Sequence, residues 1–323
     1  MSPILSTFAG ASARGFSSNS GVSTSLVNVK FFGTFGANNG IGGTISDYIN
    51  AASYNFYSSS QSGPFNALTT SAEFTRQGGG ILQFNLLAGT YEIAGRSGSA
   101  SQTSSYISAT GAEVTATLTL PNETSLLLLI GNHGYGRYGG GGMTALAIGS
   151  DHSYNPVPIF VIGGGGAGYS SGNQNYQLPG PMTSSTSTAS VRRGVSNSVA
   201  HDGGWGFFNT YTPNIQSSPQ TTQGQHFVQG GQGNQRGTCN GGGGGFGGGG
   251  GPCPGGGGGY VGGYGGRNLQ PRSSGGGGTS YYDSTYISNV VTVNVGSLTS
   301  NMGNLSTTTP DPAYVGYFGI VTA

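Results

Sequence analysis

The sequence predicts an all-β protein, a β-sandwich interrupted by glycine-rich segments. Two observations carry this expectation. Short runs of alternating apolar and polar residues recur along the chain between turn signals, and helical patterns do not alternate with them. Strands in such succession favour a sandwich over a parallel α/β sheet. Separately, glycine fills 23 of the 38 positions from 241 to 278, so no side-chain periodicity exists there at all.

Taken in order, residues 1–27 are small and polar, with isolated apolar residues at Ile4, Leu5, Phe8 and Phe16; they read as an extended N-terminal arm for attachment or assembly. The alternation Val27-Asn28-Val29-Lys30-Phe31 opens the strand pattern. One helix is expected over 45–57, where Ile45, Tyr48, Ile49 and Ala52 share a face and Thr44 can cap it. Strands are expected over 81–86, 90–94, 112–120, 125–130, 143–148, 157–162, 290–295 and 314–321. Turn signals such as Leu87-Ala88-Gly89 and Pro121-Asn122-Glu123 separate several of them. Residues 170–235, rich in Ser, Asn, Gln and Gly, read as long surface loops.

Glycine-rich chain is ordinarily slack coil. Here, however, the runs 241–245, 247–251 and 255–259 are equal in length and are punctuated by Phe246, Pro252-Cys253-Pro254, Tyr260 and Tyr264. A five-residue run in a threefold extended helix spans about 15 Å, close to an ordinary strand. Equal rods broken by turns can pack side by side, because only glycine lets backbones approach so closely, and their N–H and C=O groups then bond between rods. Cys239 and Cys253 are a candidate disulfide; it would close a loop of about 15 residues and contribute about 3 kcal/mol.

Composition narrows the function. Charged residues make up 6% of the chain, against roughly 25% in a typical soluble domain. Ten basic and nine acidic residues leave a net charge of +1, and Lys30 is the single lysine. The nearest thing to a basic patch is Arg192-Arg193, so no nucleic-acid partner is expected. The opening Met1-Ser2-Pro3-Ile4-Leu5 has no basic start and no apolar h-region. The longest apolar run, 126–130, is far below the ~20 residues that span a bilayer, so no membrane insertion is expected either.

Several motifs fit a pattern without its context. Gly163 to Gly168 matches the spacing of a dinucleotide fingerprint, but polar loop follows where a helix must receive the pyrophosphate. The 168–172 segment matches a nucleophile elbow around Ser170, again with no helix after it, and His201 and Asp202 sit in a glycine-rich loop. His133, His152, His201 and His226 are scattered, with no ligand pair at metal spacing. No catalytic residue, cofactor or metal is expected. The sequons at Asn122 and Asn304 matter only in a secretory pathway. Candidate surface contacts are the aromatics in polar loops, Tyr169, Trp205, Phe207, Phe208, Tyr281 and Tyr282. Uncharged aromatics suit glycan or protein surfaces; the competing reading packs them against the glycine rods as small local cores.

The serial order of motifs carries a resemblance. FGTFGANNGIGGT (32–44) is followed by ILQFNLLAGTYEIAGRSG, then GAEVTATLTLPNETSLLLLIGNHG, the glycine patch 139–142, VPIFVIGGGGAG, the long glycine runs and a closing YVGYFGIVTA. Over residues 28–323 this resembles the glycine-rich domain of the anaplastic lymphoma kinase and leukocyte tyrosine kinase receptors, a domain shared with many microbial and viral proteins. The resemblance implies a jelly-roll-like sandwich with an inserted bundle of polyglycine II helices, and a role in extracellular recognition or structure without catalysis. A looser similarity is to phage tail-fibre adhesins with polyglycine II bundles. The expected function is therefore a virion structural protein on the particle surface, as fibre, adhesin or capsid decoration. Its partners would be other virion proteins through residues 1–27, a host-surface glycan or protein, and further copies of itself. The alternative is a secreted microbial matrix or extracellular filament subunit.

Overall fold

The computed structural model describes residues 29–32, 75–76, 81–101, 109–134, 139–168, 178–180, 182–184, 203–208, 226–231, 233, 244–245, 247–250, 255–265, 274–294 and 316–322. The arm 1–27, the helix expected over 45–57, Tyr169, Ser170, Arg192-Arg193, His201, Asp202, Cys239 and Cys253 lie outside the described residues.

Two sheets, antiparallel throughout, make up the described fold. The first has five strands in the order β1 (Val29–Phe32), β11 (Tyr317–Thr322), β4 (Gly89–Arg96), β5 (Glu113–Leu120) and β10 (Ile287–Asn294). The second has six, β2 (Thr75–Arg76), β3 (Leu82–Leu86), β6 (Thr124–Leu129), β7 (Thr144–Ile148), β8 (Val157–Ile162) and β9 (Tyr281–Tyr282). The only helical element among the described residues is one 3₁₀ turn, Phe227–Gln229. All-β is the correct class.

Alternation explains the first sheet. β5 turns Val114, Ala116, Leu118 and Leu120 inward and leaves Thr115, Thr117 and Thr119 on the outer face. β4 does the same with Tyr91 and Ile93, in unbroken register from Gly89 opposite Leu120 to Arg96 opposite Glu113. Gly95 lies on the inner face, where a methyl group would stand 2.7 Å from Ile162 Cδ1 of the other sheet. At the rim, Tyr317 donates its hydroxyl to Glu113 Oε1 at 2.6 Å and the Arg96 guanidinium lies over the Tyr317 ring.

β6 does not alternate, for a different reason. Leu126 and Leu128 face the first sheet, joining Phe84, Leu146, Phe160, Phe318 and Ile320 in the sandwich core. Leu127 and Leu129 face the other way, into a second core with Ala145, Ala147, Val161, Phe207 and Phe227. The apolar run 126–130 is therefore a strand buried on both faces.

β10 begins at Ile287, three residues before the position expected from sequence. Asp283 starts it by accepting Thr285 N–H at 2.8 Å, an Asx turn. A bulge between Ser288 and Val291 then interrupts the apolar pattern, with Asn289 at φ 51°.

The two ends of the sandwich differ. Turns 87–88, 121–123, 149–156 and 283–286 close one end. At the other end, β6 and β8 run out into, and β7 and β9 emerge from, segments rich in glycine, and β4 ends and β5 and β11 begin at the same end. Because Val29 pairs with Ile320 and Phe32 with Tyr317, the chain enters β1 at the turn end.

Candidate functional site

At the glycine end, backbone hydrogen bonds join segments that have almost no side chains. Their spacing is informative. Gly98 donates to Gly142 O and Ser101 to Gly139 O; Gly164 donates to Gly258 O and Ala167 to Gly255 O; Gly278 donates to Gly164 O and Gly275 to Ala167 O; Gly140 donates to Gly250 O and Met143 to Gly247 O. In each pair of segments the bonds recur at every third residue. An antiparallel β ladder returns to its partner every second residue.

The residues between these bonds turn to other neighbours. Within 164–166, Gly165 donates to Gly98 O and accepts from Gly141, while Gly166 accepts from Ala109. The segment is thus surrounded by five others. A methyl group on Gly164 would stand 2.2 Å from Gly141 O, so the packing admits hydrogen only. The same bonding answers the dinucleotide fingerprint: the N–H groups of Gly163, Gly164, Gly165 and Ala167 are committed within the protein, leaving them nothing to offer a pyrophosphate.

Hydroxyls finish the layer where it meets the strands. Ser97 Oγ donates to Gly163 O at 2.5 Å, Ser99 Oγ accepts from Gly111, and Ser101 Oγ accepts from Gly139 at 2.6 Å. Thr144 Oγ1 links Gly131 N–H to Arg96 O, and Ser280 Oγ accepts from Gly163. The sequence offered a signal in Ser97-Gly98-Ser99-Ala100-Ser101, an alternation of hydroxyls in place of apolar residues. Nearby His133 is buried, which pushes its imidazole down to about 4.

The aromatics form a seam over the outer face of the second sheet. Phe207 stacks on Phe227 with ring centroids 4.3 Å apart, and Phe208 meets Phe207 edge-on at 4.9 Å. Phe208 in turn touches Tyr260, which stacks on Tyr281 at 4.4 Å. Burial pushes the Tyr260 and Tyr281 phenols up, so both are neutral donors. Of the sequence candidates, Phe207 is 0% exposed and is a core residue, not a surface contact. Tyr282 packs against the sandwich core from its place in β9. Trp205, Phe208 and Tyr281 are half-buried.

Trp205 joins the two features. Its N–H donates to Gly248 O and its carbonyl accepts from Gly259, so its backbone belongs to the glycine layer. Its indole meets the His226 ring edge-on at 4.9 Å. His226 Nδ1 lies 3.1 Å from Gly206 O. Burial lowers the His226 pKa, an effect opposed by its bond to Gly206. Missed in the sequence, His226, Phe227 and Tyr260 lie in polar or glycine-rich stretches, and ring contacts between distant positions define them. Among the described residues no group of three or more His, Cys, Asp or Glu could hold a metal, and no helix is long and apolar enough to cross a membrane.

No protein-family model matches the chain, and a search of curated proteins finds no match.

Proposed function

We propose that this protein is a structural component displayed on the surface of a virus particle, where it mediates assembly, host-surface attachment or both. The observation that carries the reading is the polarity of the fold. The chain enters β1 at the turn end, while the glycine layer lies at the opposite end of the sandwich. An arm anchored in a particle would then hold the glycine layer outward. The turn end also presents Leu87, Val157 and Tyr154, the last 77% exposed, as apolar surface for a neighbouring virion protein.

The finer architecture fits the same reading. We infer that the glycine segments are polyglycine II helices, since hydrogen bonds recurring every third residue suit a threefold extended helix with no internal bonds. We likewise read the sandwich as jelly-roll-like. β3 pairs with β6 in one sheet while the intervening β4 and β5 pair in the other, the nesting that jelly-roll winding requires. Such a rod layer is stiff without charge or a large apolar core, which suits a surface exposed to proteases.

Removing residues 1–27 tests the display reading. Loss of the protein from purified particles, with its melting temperature unchanged, is the expected result. Unchanged incorporation would overturn the role of the arm, and recovery of the protein only in a cell-free matrix or filament fraction would overturn the virion assignment.

A further inference from the structure

The joint between the aromatic seam and the glycine layer is built around a histidine that has no room for charge. His226 is 7% exposed, and its ring lies edge-on against the Trp205 indole. Protonation places an N–H on both ring nitrogens. Gly206 O, 3.1 Å from Nδ1, accepts one of them. Nε2 is sealed from solvent and has no hydrogen-bond partner among the described residues. A water trapped there satisfies that N–H but does not neutralise the charge. Nor is a counter-charge at hand. Among the described residues, the segments that meet at this joint are 203–208, 226–231, 247–250, 255–265 and β6 with its neighbours β7 and β8, and they contain no Asp, Glu, Lys or Arg. Besides His226, their titratable side chains are the phenols of Tyr260 and Tyr264, joined by Tyr281 of β9, and phenols are neutral at physiological pH and below. Asp283, which follows β9, turns its carboxylate to Thr285 N–H. An imidazolium at 226 thus has neither solvent nor an anion, and burial accordingly lowers the His226 pKa.

Main-chain bonding across the joint is thin. Phe227 N–H donates to Gly206 O and Val228 N–H to Phe207 O, both at 3.3 Å and at the long edge of the useful range. Trp205 and Phe208 are half-buried. Beneath them, Phe207 and Phe227 are fully buried and stacked on each other.

We propose that His226 is an acid-released latch: its protonation parts the 226–231 turn from the 203–208 loop and uncovers the Phe207–Phe227 pair as an apolar contact surface, while the two sheets stay folded. Swung into water, the imidazole regains its ordinary affinity for a proton, so acid favours the open form. Below pH 6.5 the open fraction rises by up to about tenfold for each unit of pH, until the closed form binds the proton as well. The latch is a property of the fold and holds with or without display on a particle.

Trp205 is the single tryptophan, so the intact protein carries a reporter at the joint itself. Its emission and the binding of anilinonaphthalene sulfonate are followed from about pH 7.5 to about pH 5, the range in which a histidine titrates, with far-UV circular dichroism as the measure of the sheets. A reversible red shift of the emission and a rise in dye binding, with the dichroism unchanged, are expected. His226→Gln keeps a donor for Gly206 O and takes up no charge, so both signals should become flat, whereas His133→Gln should leave them as they are. Amide exchange in the unaltered protein, corrected for the intrinsic effect of pH, needs no variant to fold. Phe227 and Val228 should lose protection by up to about tenfold per unit of pH over the same range, while Val114 and Leu128 keep theirs. Flat emission, dye binding and amide protection in the unaltered protein overturn the proposal. So do an undiminished response in folded His226→Gln, a response that disappears with His133 instead, and opening that coincides with loss of the sheets.

Discussion

Replacing Gly257 with alanine adds one methyl group where the glycine layer leaves no room. The new carbon would stand 2.0 Å from Gly164 O and 2.9 Å from Gly278 N, whereas real methyl contacts stay above 3.0 Å. The segments carrying residues 164 and 257 must therefore part by about 1 Å. Gly164 O accepts from Gly278 at 2.9 Å, and Gly257 itself donates to Gly276 O at 2.8 Å and accepts from Gly263 at 2.7 Å. A stretch of that size takes such bonds beyond the useful range. One or two buried groups left unsatisfied cost about 1–3 kcal/mol each, and overpacking adds about 1–3 kcal/mol. The expected loss is about 3–6 kcal/mol, a large share of a typical domain stability of about 5–15 kcal/mol. At roughly 2–4 °C per kcal/mol for a chain of this order, calorimetry should record a melting temperature lower by roughly 10–20 °C. Gly203→Ala is the control: its nearest neighbour, Gly263 O, is 3.4 Å away, so stability should change by about 1 kcal/mol or less. A Gly257→Ala protein as stable as the Gly203→Ala protein would refute the close packing.

Three further outcomes follow from the same structure. Leu127→Ala should cost about 2–5 kcal/mol in denaturant unfolding, because Leu127 lies in the second core; a change near zero would mean that this face of β6 is wet. Tyr317→Phe removes a hydrogen bond to a part-buried carboxylate, and a loss of about 1–2 kcal/mol is expected by the same assay, with an unchanged value marking the pair as unimportant. His133 is held neutral by burial, its pKa lowered from 6.5 to about 4. Between those values the unfolded chain holds a proton there that the folded chain does not, so stability falls with falling pH, by about 3 kcal/mol across the window. Burial gives His226 the same sign. His133→Gln should flatten the pH dependence below 6.5, and an unaltered slope would assign it elsewhere.

What the sequence revealed followed the range of the forces involved. β5 and β8 were legible because a strand facing water on one side, or buried on both, leaves its mark on consecutive residues. β2 and β9, two residues each, carry no pattern and exist through their partners β3 and β8. Phe207 looked exposed because its neighbours are glycine and polar residues, yet its burial comes from Phe227 and from the far face of β6. Tyr281 and Tyr282 read as loop residues, and Tyr282 N–H instead bonds Thr183 O beside the strand pairing to β8. The equal glycine runs suggested rods, but which rods touch is written in no side chain. Contacts such as Gly164 with Gly258, or Gly98 with Gly165, join positions far apart in the chain.

Amide hydrogen exchange of the folded protein tests the central claim most directly. If main-chain bonding makes the glycine segments a packed layer, the amides of Gly164, Gly257, Gly258, Gly276 and Gly278 should exchange as slowly as those of Val114 and Leu128 in the sheets. Exchange of these glycines at the rate of free peptide, while the sheets stay protected, would contradict it.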